Sequence, residues 1–320
     1  MKNPELGKLL EQIEHSLRVS GTQVQVANEK ILRQKIHLLV EASAFGNARE
    51  QGWARYLVRK AARSLGVFPS SIHDLYIARG KGELPHTFTV PAMNLRALSF
   101  DAARAVFRVA LSMEAGAFIF EIARSEMGYT DQRPSEYTTN ILAAAVAEGY
   151  RGPVFIQGDH FQVSAKRFAA NPETEIQAVR DLTKEAIQAG FYNIDIDTST
   201  LVDISKPSVP EQQKLNSSLS AMYTQFIRGL EPAGVTISIG GEIGEVGGHN
   251  SNPEELRGYM SGFTNELKEL DEQATGLSKI SIQTGTSHGG VVLPDGSIAS
   301  VSVDFGALFD LSQIARSEFG

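Results

Sequence analysis

The sequence predicts an α/β protein, a (β/α)8 TIM-type barrel preceded by an α-helical extension, and three observations carry that expectation. Six short β-rich runs recur after residue 86 at intervals of roughly 30 to 45 residues, with helical patterns between most of them, as in a parallel sheet. Four of the six runs end in chemically capable side chains, and barrels assemble their sites from the carboxyl ends of several strands. The first run leads into 91-PAMNLRALSF-100, which lacks the glycine fingerprint that an open doubly wound sheet usually carries after its first strand.

Residues 1–85 form the extension. They are rich in Lys, Arg, Glu and Gln, with Leu9-Leu10, Ile13 and Leu17 near helical spacing. Leu32, Ile36 and Leu39 follow at i, i+4 and i+7, and apolar positions continue from Trp53 to Leu65. The extension ends in the loop 80-GKGELPH-86, and its expected role is packing or subunit contact. His15, His37, His73 and His86 carry no ligand spacing and read as surface or packing residues.

Residues 86–320 form the barrel region. Its strands are 87-TFTVPAM-93, 117-AFIFEIA-123, 153-PVFIQG-158, 191-FYNIDID-197, 235-VTISIGGE-242 and 280-ISIQTG-285. In 101-DAARAVFRVALSMEAG-116, Val106, Val109, Ala110 and Met113 lie at i, i+3, i+4 and i+7, and Gly116 marks a stop. Two helices open on the same signal, Asn171-Pro172-Glu173 and Asn252-Pro253-Glu254: a capping Asn, a first-turn Pro and an acid that suits the helix dipole. A further helix is marked by Leu215, Leu219, Met222 and Phe226, and a last one by 305-FGALFDLSQIARSEFG-320. That makes six of the eight βα units. Two more would need roughly 60 to 80 residues, so the sequence is expected to be part of a longer chain.

Bulk properties narrow the function. The chain carries 37 acidic against 30 basic side chains, a formal charge of −7, and no basic block, so neither nucleic acid nor an anionic membrane is an expected partner. Without cysteine there are no disulfides, and a metal site must use His, Asp or Glu. No apolar run reaches the roughly 18 residues of a membrane span, and MKNPELGKLLEQIEHS does not read as a signal peptide; a cytoplasmic protein is expected.

The strand end 153-PVFIQGDHFQ-162 places a carboxylate beside an imidazole. Neighbours within a strand point to opposite faces, so Asp159 and His160 serve one site only where the strand stops and bends, which is expected at Gly158. His160 and His288 offer nitrogen, Asp197 and Glu242 offer oxygen, and a catalytic zinc site takes about three protein ligands and one open position. Asp159 is then available for proton transfer, which suits making or breaking a carbon–carbon bond beside a carbonyl. Plainer roles stand beside these: Asp159-His160 bonded to loop backbone, His288 purely structural, and Glu242 capping its loop. Asp195 and Asp197 share an inward face, and buried acids need partners or a metal. His249 could stand in as a third ligand but reads better as a loop histidine. The glycines of 240-GGEIGEVGG-248 follow the wrong strand for a dinucleotide loop.

Taken in order, these motifs resemble the class II, metal-dependent fructose- and tagatose-bisphosphate aldolases, from about Thr87 to Phe319. The carriers are 89-TVPAMN-94, 157-QGDHFQ-162, 194-IDIDTSTL-201, 241-GEIGEVGG-248 and 284-TGTSHGG-290. The resemblance implies that Asp159 is the catalytic proton carrier, that His160 and His288 bind zinc, and that Asp197 and Glu242 are further metal ligands. It also implies substrate contacts from Asn94 and Gly289, a Zn2+ or other divalent cofactor, a sugar-phosphate substrate and homo-oligomers of two or more subunits. There are departures. The family's third zinc histidine and its phosphate-binding loops lie on strands seven and eight, outside these 320 residues, and His249-Asn250-Ser251 stands where some members carry an acidic pair. The expected activity is reversible cleavage of a ketose phosphate or bisphosphate into dihydroxyacetone phosphate and an aldehyde. The alternatives are a ketose-phosphate 4-epimerase using the same half-reaction and a non-catalytic aldolase-like subunit or scaffold.

Overall fold

Nine strands form among the residues that the computed structural model describes, which are 3–244, 250–284 and 303–320. They are β1 (Leu17–Ser20), β2 (Gln23–Val26), β3 (Val67–Ser70), β4 (Ala92–Asn94), β5 (Ile119–Ala123), β6 (Gly152–Gln162), β7 (Asn193–Asp197), β8 (Ser238–Glu242) and β9 (Lys279–Ser281). The last six lie within or overlap the six runs expected to be strands. The chain divides into two units. The first holds Met1–Ser71, Thr89–Asp159 and Glu185–Tyr192; the second holds Ile72–Phe88, His160–Lys184 and Asn193–Gly320.

In the first unit, β4, β5 and β6 are parallel, with Ala92 opposite Ile119, Asn94 opposite Glu121, Ile119 opposite Phe155 and Ala123 opposite Asp159. All five residues of β5 are buried, as a strand covered on both faces requires. The helix Ser99–Ser112 packs through Phe107, whose ring meets Phe118, Phe120 and Tyr150 at centroid distances of 4.9 to 5.7 Å. Its buried stripe is therefore Ala103, Phe107 and Ala110, while Val109 and Met113, expected on the inner face, are exposed. The aromatic cluster sets the rotation of this helix, and a count of aliphatic spacing overlooks it. The helix Pro134–Glu148 is buried from Tyr137 to Ala147, and the Tyr137 hydroxyl donates to the Glu121 carbonyl at 2.7 Å.

The amino-terminal stretch is not wholly helical. β1 and β2 pair antiparallel around Gly21-Thr22, with Ser20 opposite Gln23 and Gly21 at φ 60°, the conformation a two-residue hairpin loop demands. β3 pairs parallel with the start of β6, Val67 opposite Gly152, and tolerates Pro69 as a strand with no second partner among the described residues. Between them runs the helix Ala48–Ser64, burying Ala54, Leu57, Val58, Ala61 and Ala62 at helical spacing. It opens on a reciprocal cap: Asn47 Oδ1 accepts from the Arg49 and Glu50 amides, and Glu50 Oε2 accepts from the Asn47 amide at 3.0 Å. Asn47→Ala is expected to cost about 1 kcal/mol. Urea unfolding followed by circular dichroism measures it, and an unchanged midpoint would mean that the cap contributes nothing.

In the second unit, β7, β8 and β9 are parallel, with Asn193 opposite Ser238 and Gly240 opposite Lys279. Both Asn-Pro-Glu signals mark helix starts, at Pro172–Ala189 and Pro253–Leu270, and the Asn171 and Asn252 side chains accept from first-turn amides at 2.9 to 3.1 Å. The helices Lys214–Arg228 and Pro253–Leu270 bury Ala221, Phe263 and Leu267 together, while Ile243, Leu256 and Tyr259 form a second core with Leu311 of the helix Phe305–Phe319. No helix among the described residues is long and apolar enough to cross a membrane.

Candidate functional site

The strand expected to stop at Gly158 does not. β6 keeps its register with β5 through Gly158 and Asp159 and runs on to Gln162. The bend lies at His160, whose φ of 41° is left-handed. A side chain with a Cβ adopts that conformation at a cost of roughly 1–2 kcal/mol, and such residues gather at functional sites.

In the second unit, His160 meets the ends of β7 and β8. Its Nδ1 lies 3.3 Å from Asp197 Oδ2 and 3.2 Å from Glu242 Oε2, and one ligand atom from each of the three residues falls within 4.8 Å of the others. Asp197 is only 2% exposed. Its Oδ1 accepts from the Ser199 amide at 3.0 Å and the Ser199 hydroxyl at 2.6 Å, and its Oδ2 accepts from Gln162 Nε2. Burial alone would raise this carboxyl, but the hydrogen bonds from His160, Ser199 and Gln162 outweigh it and hold Asp197 below the ordinary value. The backbone of Glu242 is held by Asn216, whose Nδ2 donates to the Glu242 carbonyl at 2.8 Å. The Glu242 carboxylate lies against His160, with Oε2 3.2 Å from Nδ1.

One imidazole and two carboxylates make a donor set for zinc or a similar divalent cation. Ligands about 2.1 Å from a common tetrahedral ion stand about 3.4 Å from one another, close to the two separations around His160. The other acid of β7, Asp195, pairs with Lys279 at 2.8 Å, and that ammonium also lies over the Tyr76 ring. Of the two acids expected to share a face, Asp197 is the one that meets His160 and Glu242. His288 and Gly289 lie outside the described residues, as does His249.

The backbone beside Glu242 has no room for a side chain. A Cβ on Gly241 would stand 2.3 Å from the hydroxyl oxygen of the buried Tyr259 and 2.8 Å from Leu277 Cδ1. Gly241→Ala is expected to cost about 1–3 kcal/mol through overpacking and to displace Glu242. A thermal melt beside metal titration checks this; wild-type behaviour in both would mean that the helix Pro253–Leu270 yields freely.

In the first unit, Asn94 at the end of β4 donates through Nδ2 to Asp159 Oδ2 at 2.8 Å and to Glu126 Oε2 at 3.0 Å. Glu126, at the start of the helix Arg124–Thr130, also accepts from the Ala123 amide at 2.9 Å and pairs with Arg96. Burial pushes the Glu126 carboxyl up, but the bonds from Ala123, Arg96 and Asn94 together bring it below the ordinary value. An ionised Glu126 fixes the Asn94 amide, and the amide orients Asp159. Sequence reasoning missed Glu126 and Arg96. The available signal was an acid three residues after a strand end, at the third position of a helix that lacks a Ser or Thr cap.

Compared with models of known protein families the chain matches none, and no curated protein matches it. Among solved structures it is similar to a probable tagatose 6 phosphate kinase from Sinorhizobium meliloti 1021, with 16% identity, a TM-score of 0.46, and 67% of this chain and 53% of that one covered. It is also similar to a fructose-bisphosphate aldolase from Campylobacter jejuni, with 20% identity, a TM-score of 0.41, and 72% and 62% of the two chains covered. The chain thus spans 53% and 62% of the lengths of these two proteins.

Proposed function

We propose that the chain is a metal-dependent aldolase-type lyase on strands of a (β/α)8 barrel, cleaving a ketose phosphate or bisphosphate such as fructose or tagatose 1,6-bisphosphate into dihydroxyacetone phosphate and an aldehyde. The observation that carries this reading is the convergence of His160, at the bend of β6, with Asp197 and Glu242 at the ends of β7 and β8, and Asp197 is held ionised in a buried position. The ordered motifs around these residues support it.

His160, Asp197 and Glu242 would hold the cation, with His288 as the further ligand that the resemblance implies. A divalent cation bound there supplies Lewis-acid stabilisation for the negative charge that develops on the ketose carbonyl oxygen. Asp159 takes the proton from the C4 hydroxyl as the C3–C4 bond breaks, and the bonding pair passes to C3 and is delocalised onto the C2 oxygen. In condensation the same carboxyl returns the proton. Asn94 keeps Asp159 in a fixed orientation, and Glu126 keeps Asn94 in its own. Orientation of this kind matters because proton transfer requires hydrogen-bond reach in the reacting geometry.

Elemental analysis after gel filtration in metal-free buffer is the first test. About one divalent ion per chain, with cleavage lost on chelation and restored by zinc, is the expected result. A folded chain that retains no metal and stays inactive with zinc would overturn the reading. Following the C4 configuration of recovered ketose separates a lyase from a 4-epimerase.

A further inference from the structure

None of the candidate site residues lines the cavity of about 580 Å3 that opens in the first unit. Lys30, Arg33 and His37 form one wall, at i, i+3 and i+7 along the chain. Phe100 and Arg104 form another from the helix Ser99–Ser112, and Ala147 closes it from the end of Pro134–Glu148. The volume suits a small metabolite, for which pockets run from about 300 to 1,000 Å3.

Its charges do not balance. Glu29 is occupied by Arg151 at 2.5 Å, and Glu148 by Arg104 at 2.7 Å and Arg108 at 2.9 Å. Lys30 and Arg33 have no ion-pair partner among the described residues. Arg33 is also pre-positioned. Its Nε donates to the Ala147 carbonyl at 3.0 Å, and its guanidinium lies against the Cα of Gly149, where a Cβ would stand 2.8 to 2.9 Å from Nη1, Cζ and Nη2. Gly149 has a φ of 76° as the cap of Pro134–Glu148, so a left-handed glycine at that helix end makes room for the flat group. A guanidinium carries five N–H donors, and here the one on Nε is bonded while Arg33 lines the cavity with four more to offer. That is the arrangement by which arginine takes a phosphate bidentately.

We propose that this cavity binds a small molecule through a phosphomonoester group, with Arg33 as the fork, Lys30 as the supporting charge, and Phe100 as the apolar wall for the carrier. This holds whether or not the chain is an aldolase. The test is calorimetric titration of the full chain with inorganic phosphate at low ionic strength, in the presence of a chelator. Wild-type protein is expected to bind in the millimolar range or tighter, with affinity falling at least about tenfold in Arg33→Gln and several-fold in Lys30→Gln. His160→Ala should bind phosphate as wild type does. Lys30 is exposed, so its variant keeps the test valid if Arg33→Gln fails to fold. No binding, or an affinity unchanged in both variants, would overturn the proposal. Ribose 5-phosphate and AMP are titrated in parallel. Tighter binding of one identifies a sugar or a nucleoside carrier, and neither exceeding inorganic phosphate overturns the small-molecule carrier.

Discussion

Asp159→Asn is expected to lower the rate of ketose-phosphate cleavage by about 10²–10⁴-fold, the usual contribution of a positioned proton-transfer group, with little change in stability. The substitution keeps the shape of the side chain and an oxygen to accept the hydrogen bond that Asn94 donates at 2.8 Å, so the connection through Asn94 to Glu126 survives. What is lost is the capacity to take a proton. Metal content should be unchanged, because the candidate ligands are His160, Asp197 and Glu242. A coupled assay of aldehyde release, with elemental analysis of the same sample, measures both quantities. A cleavage rate equal to wild type would remove Asp159 from the mechanism. A fall in rate accompanied by loss of metal would make it a support of the ion rather than a proton carrier.

The strands were legible because their burial is written locally: 119-IFEIA-123 and 193-NIDID-197 are short apolar or alternating runs, and the sheet holds them where those runs sit. Helix starts were legible at Asn171 and Asn252 because a cap is a local device. Features that depend on distant partners were not. The hairpin of β1 and β2 has only four residues a side, too few to stand out against the helical spacing around it. β3 is a strand because β6 offers it an edge, and Pro69 argues against it when read alone. The inner face of Ser99–Ser112 follows from Phe118, Phe120 and Tyr150, which lie outside the helix itself. At the site, the order of the motifs singled out His160, Asp197 and Glu242, and the structure brings the three together. The bend was misplaced by two residues because Gly158 looks like the natural break, whereas the left-handed residue is His160. Glu126 escaped notice because it reaches the site only through Asn94 and the Ala123 amide, neither of which a one-dimensional pattern records.

His160→Ala and Asp197→Ala should both abolish metal retention and cleavage, yet differ in what they do to the fold. Each removes one donor from a set of three that converge within 4.8 Å, so the affinity for a divalent cation is expected to fall by at least about 10²-fold in either. The His160 side chain is 39% exposed, so its removal is expected to lower stability by about 1 kcal/mol or less. Some of the left-handed strain at its φ of 41° persists, because alanine carries a Cβ as well. Asp197 is different. Its carboxylate, itself buried, accepts from the Ser199 amide, the Ser199 hydroxyl and Gln162, and removing it takes away the acceptor of the two half-buried Ser199 donors. Each such loss costs about 1–3 kcal/mol, so Asp197→Ala is expected to destabilise the chain by at least about 2 kcal/mol. Urea unfolding in the presence of a chelator isolates this difference from any contribution of the ion. Equal stability of the two variants would mean that Asp197 does not organise the end of β7. Metal retained by His160→Ala would place the ion on other donors and end the assignment of this cluster as its site.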